Sequence, residues 1–304
     1  MSAGGVFMTG ATGFIGRNLA AAYAGWEIHA LVRSDSDIDG LDRIGNITFH
    51  KYDGTPESVI RALVASKSKL VIHLAAYFVA EHKSEDIEPL VTSNLLLGTQ
   101  VLEAMAVSGV RLLINAGTSW QHFQNHPDRP VCLYAATKRA YEVLVDYYVD
   151  AFQLKAITLK LFDTYGPGDP RPKLFNLLRN ADPSKPFCMS KGDQLIDLVY
   201  IDDVVAAFVA AEERLRASTT TAHETFAVSS GNPRPLREIV ESFLRIAQRN
   251  LKIEWGARAY RSREVMQTWT NYALMPHWEP LVDLEEGFAR MVRSEQGGIP
   301  SVHR

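Results

Sequence analysis

The sequence predicts a doubly wound parallel α/β sheet, and two observations carry that prediction. Short apolar runs alternate with longer segments of helical periodicity through the first half of the chain. A glycine-rich turn joins the first run to the first helical segment, where such a sheet closes its first β-to-α connection. Each run reads as a strand buried on both faces, because it stays apolar instead of alternating with polar residues.

The elements follow in order. "VFM" (6 to 8) opens the sheet and leads through "TGATGFIG" (9 to 16) into the helical "RNLAAAYAG". "IHALV" (28 to 32) and "ITFH" (47 to 50) give the second and third strands, and "ESVIRALVAS" the helix after them. "LVIHLAA" (70 to 76) is the fourth strand, followed by the long helix "EPLVTSNLLLGTQVLEAMAVSG". "RLLINA" (111 to 116) and "AITLKLF" (156 to 162) are the fifth and sixth, with the helix "YAATKRAYEVLVDYYVDAF" between them. After "YGPGDPRP" (165 to 172) the pattern loosens into short strands near 187 to 200 and 224 to 228 and helices near 202 to 216 and 235 to 249. This divides the chain into a dinucleotide-binding Rossmann domain at 1–165 and a smaller C-terminal substrate-binding lobe at 166–304, with some later segments returning to the first.

At 304 residues, 46% hydrophobic and 22% charged, the chain can bury a sizeable core. A net charge of -3 gives no electrostatic case for nucleic acid or an anionic membrane, so a small molecule is the expected partner. Cys132 and Cys188 form no CxxC, so no disulfide framework or zinc site is expected, and a reducing cytoplasm fits. No targeting segment or membrane-spanning apolar run is expected either. His73 and His122 lack ligand-spaced partners, so no metal role is expected. Trp255 and the "HWEP" segment (277 to 280) read as packing.

The chemistry begins at the turn. Gly10, Gly13 and Gly16 let the backbone approach a pyrophosphate, while the helix beginning there offers amide donors and a partial positive charge; Thr9, Thr12, Phe14 and Ile15 complete the cradle. An acidic residue at the end of the second strand would hold a ribose 2′-hydroxyl, but Arg33 and Ser34 stand in "ALVRSDSD", a cation and a hydroxyl suited to a 2′-phosphate. NADP(H) is therefore favoured and NAD(H) remains possible, with Asp35 and Asp37 close by. Tyr134 and Lys138 in "YAATK" share one face of their helix, one turn apart.

The spacing GxxGxxG resembles the extended short-chain dehydrogenase/reductase family, whose members bind NAD or NADP. That resemblance implies further landmarks across most of the chain. Asp53, with Gly54 beside it, would contact adenine; Leu74, Ala75 and Ala76 would pack against the cofactor; Asn94 and Phe162 would complete its site. The YxxxK pair would make Tyr134 the acid/base and Lys138 the cation that lowers its pKa and bonds the nicotinamide ribose. Thr118 in "NAGTSWQHF" would orient the substrate oxygen, with Ser119 and Trp120 adjoining it.

On the substrate side "LKLFDTYGPGD" and "LVYIDDVVAAF" resemble family segments, with departures. Asp163 stands where asparagine is common, and would repel a diphosphate unless Lys160 or Lys173 pairs with it. Ile196 stands where many nucleotide-sugar members carry a clamping arginine, so Arg261 and Arg263 are candidate substitutes, with Asn176 a further contact. Asp202 and Asp203 are expected to cap the helix beginning there, and Val143, Leu144, Tyr147 and Tyr148 lie on a helix that in this family builds a homodimer. The absence of Asp and Glu directly after Thr118 disfavours a 4,6-dehydratase. "NAGTSWQ", "LYAATK" and "LKLFDTYGPGDPR" resemble bacterial 4-ketoreductases of the CDP-abequose synthase type. The resemblance implies an NADPH-dependent 4-ketoreductase acting on a CDP- or dTDP-linked 4-keto-6-deoxy or 4-keto-3,6-dideoxy hexose for surface polysaccharide. The alternatives are an NAD-dependent nucleotide-sugar C4 epimerase and a cofactor-sensing protein without turnover.

Overall fold

The computed structural model describes residues 5–295. The first half lays down β1 (Val6–Thr9), α1 (Phe14–Ala22), β2 (Ile28–Val32), β3 (Ile47–Lys51), α2 (Pro56–Ser66) and β4 (Leu70–His73). One continuous helix follows: α3 (Ile87–Val91) runs through a π-turn at Thr92–Leu96 into α4 (Leu97–Ser108). Then come β5 (Leu112–Thr118), α5 (Leu133–Phe152) and β6 (Lys155–Leu161). Beyond them lie β7 (Asp163–Tyr165), α6 (Leu174–Asn180), β8 (Phe187–Met189), β9 (Leu195–Ile196), β10 (Leu198–Tyr200), α7 (Ile201–Ala217) and β11 (His223–Val228). The last elements are β12 (Arg234–Pro235), α8 (Leu236–Ile246), β13 (Ile253–Trp255) and α9 (Leu284–Glu295).

Among the described residues, seven parallel strands form the central sheet in the order β11-β6-β5-β4-β1-β2-β3. Successive strand residues point to opposite faces, so Val6 and Met8 enter one core and Phe7 the other. Helices α2, α4 and α5 cover the Phe7 face, joined by Val59, Leu63, Val101, Met105, Tyr141 and Val145. Helices α1 and α7 cover the opposite face through Leu19, Ala20, Val204 and Phe208. Burial on both sides is why the strands read as unbroken apolar runs. Local signals agree: Thr55 accepts the Ser58 amide at 3.3 Å with Pro56 opening α2, and Gly109 ends α4 in the left-handed region with φ 73°.

Order runs outward from β1 in one direction and from β4 in the other. The sheet therefore splits above the C-terminal ends of β1 and β4, where ligands enter such folds. Of the later segments, α7 and β11 return to the sheet: β11 pairs with β6, and α7 packs on α1. The rest form a small lobe around Phe175, Phe243 and Phe288, whose ring centroids lie 4.9 to 5.3 Å apart. Sequence patterning had not marked α6, α9 or β13, because each is short or closes against this lobe rather than the sheet.

Two expectations change here. Asp202 and Asp203 lie in the first turn of α7, but Asp203 is buried and accepts the amides of Leu281 and Val282 at 3.0 and 3.1 Å, tethering the C-terminal segment rather than capping its own helix. The continuous helix from Ser84 to Ser108 is also apolar enough, by length and composition alone, to cross a membrane. Packing against α2 and α5 buries part of that apolar surface.

Candidate active site

The glycine turn sits at the split in the sheet. Gly10 has φ 71°, and a Cβ there would lie 2.6 Å from the Ala75 amide nitrogen, because the chain leaving β4 crosses directly over the turn. A Cβ on Gly16 would overlap the Gly10 carbonyl oxygen. Gly13 differs: an added Cβ would meet only that same oxygen, at an ordinary 3.4 Å, so packing alone does not demand a glycine. It begins α1 with extended backbone and no side-chain cap, leaving the first-turn amides and the positive end of the helix dipole facing the cleft. These features fit a dinucleotide pyrophosphate. Thr9 serves the frame: its Oγ1 accepts from the Ala75 amide at 3.2 Å and lies 2.8 Å from His73 Nδ1, lacing β1 to β4.

From this turn a groove runs to the end of β2, lined by Thr12, Val32, Arg33, Ser36, Tyr52, Ala75, Ser93 and Leu97. Arg33 is well exposed and pairs with Asp35 at 3.2 Å; its amide donates to Ser36 Oγ at 3.0 Å. Ser36 therefore reaches the groove where Ser34 had been expected. Asp53 does not line it: its carboxylate accepts from the Thr55 amide and hydroxyl at 3.0 and 2.5 Å and organises the start of α2. Gly54 accepts from Gln100 at 3.0 Å, and Tyr52 holds the wall instead. Asn94, expected at the cofactor, is buried and spends its amide on Tyr77 and Thr137, at 2.8 to 3.0 Å. It fixes the loop after β4.

The other arm of the cleft holds Thr118, Tyr134 and Lys138 together with Ala116, Ser119, Trp120 and Phe162. Thr118 ends β5, Tyr134 lies in the first turn of α5, and Lys138 follows one turn on. The Lys138 ammonium is buried and donates to the Ala116 carbonyl at 2.9 Å; burial pushes its pKa down to about 8, with Glu142 opposing the shift. Burial likewise pushes the Tyr134 phenol well above its usual range, the Cys132 thiol adding to the rise. Arg171 is the cation that works against the rise without cancelling it. The physical reason is the ranking of two effects: removing water from the phenolate outweighs the nearby charge. Phe78 stands edge-on to Tyr134 with ring centroids 4.9 Å apart, and 5.7 Å from Trp120.

A second cleft opens from this point into the small lobe, between Phe78, Ala80 and Trp120 on one side and Leu174, Asn176, Ile196 and Leu198 on the other. Asp163 and Lys173 stand where the two meet, 3.9 Å apart. Lys160 is elsewhere, 3.4 Å from Glu142 in the interior, so of the two expected partners only Lys173 reaches Asp163. Arg261 lies over Trp120 at 5.2 Å but is held by Glu264 at 2.6 Å. Arg263 points away, donating to the carbonyls of Val131 and Pro130 at 3.0 and 2.8 Å, so it anchors a loop instead of facing the cleft. Asn176 lines the cleft while its amide donates to the carbonyls of Asp169 and Arg171.

Sequence reasoning missed Arg171, Phe78, Ser36 and Tyr52. Arg171 lay within "YGPGDPRP" and Phe78 two residues past "HLAA", but only the fold turns either toward the cleft. Among the described residues no cluster of three His, Cys, Asp or Glu side chains could hold a metal.

Comparison with known proteins agrees with this fold. Residues 6–224 match the model of the NAD dependent epimerase/dehydratase family. Among curated relatives, a UDP-glucuronate 4-epimerase of Thermodesulfobacterium geofontis is 27% identical over 86% of this chain and 83% of its own length. A CDP-abequose synthase of Salmonella typhimurium is 23% identical over 95% of this chain and 97% of its own. Among solved structures, UDP-glucuronic acid 4-epimerase from Bacillus cereus, in complex with UDP-glucuronic acid and NAD, superposes with a TM-score of 0.82 at 23% identity, covering 96% of this chain and 99% of that one.

Proposed function

From the premise that this chain belongs to the NAD dependent epimerase/dehydratase family and is an NAD(P)-dependent enzyme, we propose that it reduces a nucleotide-linked 4-keto-deoxyhexose with NADPH. The bound cofactor would supply hydride to the carbonyl carbon. Thr118 then orients the carbonyl oxygen, and Tyr134 donates its proton as charge builds there. Lys138 holds the ribose, and the first-turn amides of α1 hold the pyrophosphate.

The observation that carries the reductase reading is the end of β2. Arg33, paired with Asp35 at 3.2 Å, and Ser36 line the groove where a 2′-phosphate would sit, and among the described residues the lining itself holds no carboxylate. CDP is the nucleotide we favour, by likeness to the abequose synthase relatives, with dTDP the other kept from the sequence reading.

One finding favours the rival, an NAD-dependent C4 epimerase: UDP-glucuronate 4-epimerases stand among the relatives at similar identity, and the B. cereus structure holds NAD. The deciding experiment follows NADPH absorbance with CDP- and dTDP-linked 4-keto-6-deoxy and 4-keto-3,6-dideoxy sugars, each generated by its dehydratase. Oxidation with one establishes the reductase. No oxidation with any, together with NAD retained through purification, moves the assignment to the epimerase. The reading includes a two-fold homodimer through α4 and α5, where Leu96, Val107, Val143 and Tyr147 are exposed; light scattering of the purified protein tests it.

A further inference from the structure

A chain of buried polar groups lies behind the site, and nothing in the proposed chemistry uses it. Glu142, one turn beyond Lys138 on α5, is 2% exposed. A carboxylate removed from water is costly unless paired. Its Oε1 accepts from Gln121 Nε2 at 2.8 Å, and its Oε2 lies 3.1 Å from Arg139 on the same helix and 3.4 Å from Lys160 on β6. Lys160 in turn contacts His122 Nε2 at 2.7 Å; burial pushes that imidazole down to about 4, so it is neutral and accepts. Arg139 continues to Asp128 at 3.2 Å. Charge balance accounts for the two cations but not for Gln121.

Gln121 is fully buried, and its Oε1 accepts the Thr118 amide at 3.0 Å. The Thr118 N–H can only donate and the Glu142 carboxylate can only accept, so the Gln121 amide has one satisfactory orientation. Without the carboxylate, a turned amide would present its NH₂ to another N–H. We propose that Glu142 is a positioning residue for both halves of the site: through Gln121 it fixes the Thr118 end of β5, and across one turn of α5 it supplies the countercharge to Lys138. The groups around Lys138 are few: the Ala116 carbonyl on β5, His73 on β4, pushed by burial to about 3 and hence neutral, and Tyr134 and Glu142 on α5. Glu142 is thus the anion opposing the desolvation of that ammonium.

The proposal rests on the functional reading only for the roles of Thr118 and Lys138, so its test begins on cofactor-free protein. Lysine side-chain NMR, with the Lys138 signal assigned by Lys138→Met, should show titration near pH 8 in the natural protein. In Glu142→Gln the midpoint should fall by roughly one unit, because the ammonium loses its countercharge. Glu142→Gln/Lys160→Met, which also removes the buried ammonium paired with Glu142, should still show a fall and covers the case in which the single variant does not fold. Gln121→Leu should leave the midpoint unmoved while lowering kcat roughly 10-fold with cofactor affinity unchanged. A midpoint unmoved in both Glu142 variants, or a Gln121→Leu enzyme of normal kcat, overturns the proposal. Failure of the natural protein to bind either dinucleotide would instead overturn the functional reading, and the NMR titration would still decide the Lys138 half.

Discussion

The cofactor arm and the substrate arm of this cleft are built from different materials. Around the glycine turn, the groups offered to a ligand are backbone: helix amides, a turn that admits no Cβ at Gly10 or Gly16, and a β4 exit locked over it by Thr9. Along the proposed substrate arm they are side chains, and the cations are already engaged: Lys173 with Asp163, Arg171 with Asp169 at 2.6 Å, and Arg261 with Glu264. The first arm is preorganised and needs no rearrangement to receive an anion. On the proposed function the second would have to loosen existing ion pairs, so part of its binding energy would go into exchanging partners.

The largest effect expected lies where the arms meet. Tyr134→Phe removes only the proton donor and should lower turnover roughly 100-fold or more while cofactor affinity stays within a few-fold, read by steady-state kinetics beside a binding titration. Near-normal turnover would remove Tyr134 from its role. Gly16→Ala should cost about 2 kcal/mol of cofactor binding, or roughly 30-fold in Kd by calorimetry, since its Cβ has no space beside the Gly10 carbonyl. If affinity survives, the turn is not the rigid cradle described. Arg33→Ala should raise the KM for NADPH about 10-fold and leave that for NADH nearly unchanged. A parallel loss for both cofactors would break the 2′-phosphate assignment.

The smallest effect is the one that sharpens the contrast most. Asp163→Asn frees Lys173 and removes a negative charge from the substrate arm, so KM for an anionic nucleotide sugar should fall roughly 3-fold with kcat unchanged. The sign is opposite to that of a lost contact. A rise in KM would mean that Asp163 itself binds substrate.

Much of this was legible beforehand, for identifiable reasons. The strands and the turn depend on local rules, apolar runs for a sheet covered on both faces and glycine for a turn crossed by backbone, whereas Thr118 and the chemical reading of the Tyr134–Lys138 spacing come from the family resemblance. What the sequence could not decide was which neighbour each polar group would choose. Asp53 and Asn94 went to structural hydrogen bonds, Arg263 to loop carbonyls, and Lys160 to Glu142 across the sheet. Burial pushes the Tyr134 phenol upward, an effect that spacing along the helix does not show. Local pattern fixes where a side chain begins; partner choice and desolvation depend on segments brought together from distant parts of the chain, and only the tertiary structure supplies those.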